Sequence, residues 1–110
     1  MVNDTINRIE KEIATNKALS EEQRKELVNL VNQLKREIGS LGDEYSEEAR
    51  SIAKHAEISF QEATRENPNP ALVKKTLDVM SFSVRGFEVS HPKLVGIINS
   101  IGQTLMNIGV

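Results

Sequence analysis

The segment Phe87–Val110 reads FEVSHPKLVGIINSIGQTLMNIGV, and from Leu94 onward it carries no charged side chain. The chain as a whole is 27% charged, so this stretch stands apart from everything before it. With about 100° of rotation per residue in a helix, Leu94, Ile98, Ile101, Leu105 and Ile108 fall on one seam. Ile97 widens that seam on one side, and Val95 and Met106 widen it on the other. The apolar arc covers roughly half the circumference, where an ordinary surface helix needs a stripe a little over 100° wide. The far face is Gly96, Asn99, Gln103 and Asn107, polar and uncharged. Such a helix, expected over about residues 92–108, needs more than one neighbour. It is either the centre of a bundle or shared between subunits.

Working back from it, Val89-Ser90-His91-Pro92 is a corner, because proline forces the preceding residue out of helical geometry. Before the corner, Val73, Leu77, Met80, Val84 and Phe87 repeat at helical spacing and predict a helix over 70–88. Asn69 is placed to cap it, with Pro70 at the first helical position, where its missing N–H is harmless. Tyr45, Ala49, Ile52, Ala56, Phe60 and Ala63 predict another helix over 43–66, with alanines that admit a close neighbour. Its acidic residues face an excess of Lys and Arg in the following helix, so the two are expected to complement each other electrostatically. The link Asn67-Pro68-Asn69 is short enough to make them antiparallel.

Further back, Leu27, Val31, Leu34, Ile38 and Leu41 mark a helix over 21–38. It opens on Ser20-Glu21-Glu22-Gln23, the pattern in which serine and the side chain three residues on cap each other's backbone N–H. Val2, Ile6, Ile9 and Ile13 give a short first helix over 3–15. No run alternates as a strand would, and no segment repeats. The expectation is one domain, residues 1–110, all-α: an antiparallel bundle of four main helices plus a short N-terminal one.

The closing segment resembles the end of a bacterial family of short helical proteins, domain of unknown function 4404. The residues that carry the likeness are the Phe87-Glu88 pair, the His91-Pro92 corner, and Leu94, Ile98, Leu105, Ile108 and Gly109. The opening hairpin, with its LSEEQRKELVNLVNQL stretch, is similar as well. The resemblance implies a bacterial helical protein with no assigned activity, in which the helix over 43–66 is an insertion.

Composition narrows the function classes. A chain of 110 residues buries about 65% of its unfolded surface, enough for a core of its own. The net charge of −2 supplies no field for nucleic acid, and one tyrosine with no tryptophan leaves no stacking platform for bases or sugars. There is no cysteine, hence no disulfide framework and no thiolate chemistry. The N-terminus lacks the apolar core of a signal peptide, and no apolar run reaches the 18 or so residues of a spanning helix. A cytoplasmic protein is expected.

Chemistry has few places to reside. His55 lacks a carboxylate at the spacing of di-metal bundles, and no zinc motif is present, so no metal or cofactor is expected. The carboxylate clusters lie on solvated faces rather than in a dry pocket. Glu88, Ser90 and His91 form the one corner where a nucleophile and a base are neighbours, a candidate for a small-ligand or enzyme site. Leu72, Val79 and Phe82 lie off the buried seam of their helix and join Val95, Ile97 and Met106 as a candidate interface. The reading is a non-catalytic protein-interaction or scaffolding module, homodimeric, with the corner site as runner-up. Attachment of the last helix to a membrane surface is a third, lesser reading, since its polar face lacks the usual Lys and Arg.

Overall fold

Three isoleucines organise the first element. Ile6, Ile9 and Ile13 are all buried along α1 (Val2–Thr15) in the computed structural model, which describes residues 2–109. Four further helices follow: α2 (Glu21–Gly39), α3 (Ser46–Ala63), α4 (Pro70–Ser83) and α5 (Pro92–Gly109). Short 3-10 turns at Asp43–Tyr45 and Arg85–Phe87 precede α3 and follow α4. No strand occurs among the described residues.

The caps form as the local chemistry dictates. Ser20 Oγ accepts from the Gln23 N–H at 3.1 Å, and Gln23 Oε1 accepts from the Ser20 N–H at 2.9 Å. Asn69 Oδ1 accepts from the N–H groups of Ala71 and Leu72 at 3.0 and 3.3 Å, ahead of the α4 start at Pro70. Each bond satisfies a backbone donor that a helix start otherwise leaves unpaired.

Three helix ends differ from the spacing-based expectation by three residues or more. The third helix stops at Ala63 rather than Glu66, because Thr64 turns both its N–H and its hydroxyl onto the Phe60 carbonyl, at 3.1 and 2.8 Å. At the other end Asp43–Tyr45 is a 3-10 turn, so the α-helix itself begins at Ser46 rather than 43. The fourth helix stops at Ser83 rather than 88. There the Ser83 hydroxyl donates to the Met80 carbonyl at 2.5 Å, and the chain tightens into the Arg85–Phe87 turn. Such side-chain bonds offer the backbone an alternative to the helical ladder. Val84 and Phe87 are buried all the same, so the apolar seam outlasts the change of helix type.

α5 is the hub. It packs on α2, α3 and α4, while α1 packs on α2 and α3, and α3 packs on α4. Around the molecule the helices therefore run in the order α1, α2, α5, α4, α3, with α3 touching α5 across the middle. Leu94, Ile98, Ile101 and Leu105 are buried, as expected of the seam, and three neighbours within one chain account for the breadth of the apolar arc.

Polar residues fasten the seams. Between α3 and α4, the buried Ser59 donates its hydroxyl to the Thr76 carbonyl at 3.1 Å. Between α2 and α5, the buried Thr104 donates to Glu26 Oε1 at 2.9 Å. The expected charge complementarity of α3 and α4 is not realised: among the described residues no ion pair joins them. The Glu57 carboxylate of α3 instead binds Arg8 of α1 at 2.9 Å. Alanines and the Ser59 bond close the α3–α4 seam without charge.

Gly96 and Gly102 interrupt α5 with residues of low helix propensity, which close approach of another backbone would explain. A Cβ at Gly96 would meet nothing within 4 Å, and one at Gly102 would make ordinary contact with Met80 Cε at 3.7 Å. Neither is demanded by packing within the subunit. Gly96→Ala is therefore expected to stabilise the fold by up to about 1 kcal/mol, the helix-propensity difference between the two residues. Urea unfolding measures it, and a lowered midpoint would refute the open space.

Candidate functional site

α4 is apolar on two faces. Val73, Leu77 and Met80 point inward, whereas Leu72, Val79 and Phe82 are 42%, 43% and 67% exposed. A helix of 14 residues is about 21 Å long, and these three span most of it. Scattered exposed apolar residues are common, but a cluster on one helix face marks an interaction surface. The cluster continues onto α3, where His55 and Ile58 join Lys75, Thr76 and Val79 around an apolar hollow of about 200 Å³. His55 is half-buried there, its Nδ1 3.3 Å from Ser51 Oγ.

On the other side of α4 a groove of about 530 Å³ separates it from α5. Phe82, Arg85, Glu88 and Val95 lie along it with Asp78 and Ser81. The Arg85 guanidinium stands 5.6 Å from the centre of the Phe82 ring, a cation–π approach that covers part of the ring. A second open groove, about 620 Å³, lies between α2 and α5, with Leu30 and Ile97 at its floor and Arg36 and Lys93 at its rim.

The six residues of the expected interface thus separate. Leu72, Val79 and Phe82 are exposed, Val95 is half-buried beside Phe82, Met106 is half-buried, and Ile97 is 9% exposed and part of the core. Met106 lines the lower α4–α5 crevice with Asp78 and Gln103, away from the α3 hollow.

The corner is built differently from a catalytic site. Ser90 Oγ and His91 Nδ1 are 3.0 Å apart, and the His91 N–H donates to the Phe87 carbonyl at 2.8 Å. The His91 ring meets Phe87 edge-on at 5.5 Å and Tyr45 at 6.2 Å, and those two rings meet each other at 5.3 Å. Three rings in mutual edge contact hold the α5 entry against the turn before α3. Glu88 is exposed, and among the described residues no hydrogen bond joins it to Ser90 or His91.

Hydrogen bonding to Glu57 holds the Arg8 guanidinium above its ordinary value, and Glu62 does the same for Arg65, both on the solvated surface. Among the described residues no group of three or more His, Cys, Asp or Glu could hold a metal ion. No described helix is long and apolar enough to cross a membrane.

Sequence spacing sets Leu72, Val79, Phe82 and Ile58 off the buried seams of their helices, but it joins neither Tyr45 to the corner nor Ile58 to Val79. The signal for Ile58 was present, since it lies off the buried seam of α3; the contact to Val79 was not.

A family profile described as a domain of unknown function (DUF4404) matches residues 2–110, a range that takes in α3 as well as the closing segment. No curated protein and no solved structure matches the chain.

Proposed function

The chain belongs to the DUF4404 family, and from that premise we propose that it is a non-catalytic protein-interaction module that self-associates through the outer face of α4. In this reading it is a cytoplasmic bacterial homodimer whose helices, joined by short links, run antiparallel to their chain neighbours. The observation that supports the reading is the outward apolar cluster of Leu72, Val79 and Phe82, which stays largely exposed although Arg85 lies over part of the Phe82 ring. Val95 borders it at Phe82, Met106 lies in the lower α4–α5 crevice, and Ile97 serves the core.

The surface is narrow. A stable interface buries about 800 Å² on each partner, and one face of a 14-residue helix offers less than that without the α3 hollow and the Arg85 turn. Association is accordingly expected to be weak and concentration-dependent. Sedimentation from low to high micromolar concentration should show the average mass rising toward that of a dimer. Phe82→Glu, at a residue 67% exposed, should leave the unfolding midpoint unchanged and weaken association by more than about tenfold. A wild-type chain that stays monomeric at high micromolar concentration removes the reading.

A further inference from the structure

The exposed face of α4 has an internal order. Ala71, Lys75, Asp78 and Phe82 are all exposed and recur at the 4-3-4 spacing of a coiled-coil seam. The first and last of them, and the middle two, share one midpoint between Thr76 and Leu77. Reversing the helix about that midpoint lays Ala71 on Phe82 and Lys75 on Asp78. Small then meets large and positive meets negative, twice each.

Lys75 and Asp78 have no hydrogen bond or ion pair within the described residues, so both are open to a partner. Leu72 and Val79 flank the seam on the side where α4 meets Ile58 of α3. A parallel arrangement in register would set lysine on lysine and aspartate on aspartate, which like-charge repulsion disfavours. The pattern is complementary to its own reverse, which is what an isologous two-fold contact requires.

We propose that α4 pairs antiparallel with α4 of a second copy, with the two-fold axis passing between Thr76 and Leu77. Lys75 of each copy lies against Asp78 of the other, and Phe82 of each covers Ala71 of the other. The proposal rests on the self-association reading and adds to it a register and a charge code.

The test separates the two. Lys75→Glu creates two repulsive contacts in the homodimer, as does Asp78→Lys, and each variant alone should associate about tenfold more weakly than the wild type. Mixed one to one, the two variants complement each other at every contact, and the mixture should regain the wild-type association constant in sedimentation equilibrium. Circular dichroism melts should show all three chains equally folded, because both side chains are exposed and neither has an ion pair among the described residues. If the wild type associates while the single variants are unaffected, or the mixture remains as weak as its components, the register is wrong and self-association stands. If the wild type does not associate at all, the reading beneath it fails first.

Discussion

Ile98→Ala is expected to lower the stability of the fold by about 3–4 kcal/mol, the larger part of a cavity-forming substitution in a packed core. Ile98 is fully buried on α5, the helix that touches α2, α3 and α4, and it lines the base of the α4–α5 crevice with Leu77 and Met80. Three helices cannot all close on one vacancy, so little of the lost contact is recovered. A domain of this size holds about 5–15 kcal/mol in total, so the loss takes a large share. At about 4 °C per kcal/mol the melting temperature falls by about 15 °C. Ile98→Val should cost only about 1 kcal/mol, and Ile108→Ala, at the half-buried end of the same seam, clearly less than Ile98→Ala. Urea titration of the three variants tests the gradient. Equal losses at positions 98 and 108 would mean that α5 is not gripped at its centre.

The second large effect is expected at Arg24. Its guanidinium reaches back from α2 to the end of α1 and donates to the carbonyls of Ile13, Asn16 and Leu19, the last two at 2.9 and 3.4 Å. α1 has no basic residue in its own last turn, so Arg24 supplies the positive charge that the carbonyl end of a helix favours. The side chain is 21% exposed, which places the bonds partly out of water. Arg24→Ala should cost about 2–3 kcal/mol by leaving part-buried carbonyls without donors. Arg24→Lys should recover less than half of that, since an ammonium on a flexible stem cannot address three carbonyls as a planar fork does. Hydrogen exchange would locate the damage in the backbone of 13–20 if the clamp acts as described. Full recovery by lysine would reduce the role of Arg24 to charge alone.

These two residues mark the limit of what spacing reveals. Ile98 is legible because a period near 3.6 identifies the buried face of any helix, and the uncharged run from Leu94 makes that face unusually broad. Ser20, Gln23, Asn69 and Pro70 are legible because capping is local chemistry, complete within four residues. Arg24 is not, since nothing distinguishes it from Lys25 except which way the preceding loop folds. Ser59 and Thr104 are polar residues on buried faces, and only a neighbour 17 or 78 positions away explains them. The early ends of α3 and α4 turn on one hydroxyl each, Thr64 and Ser83, which periodicity does not weigh. At the α4 surface the sequence marks Leu72, Val79 and Phe82 as off the seam, while their grouping with Ile58 depends on how α3 lies alongside.

The helix order places α2 against α5, joined by the Thr104–Glu26 bond across 78 positions of chain. Closing a loop of that length costs about 2.4 kcal/mol more chain entropy than closing the five-residue link between α1 and α2. The local hairpins therefore zip first, and the α2–α5 seam shuts late in the folding reaction. Until it does, the side of α2 carrying Glu26 and Leu30 lacks its α5 cover. A newly made chain with that seam still open presents apolar surface to its siblings, the condition that favours aggregation over folding.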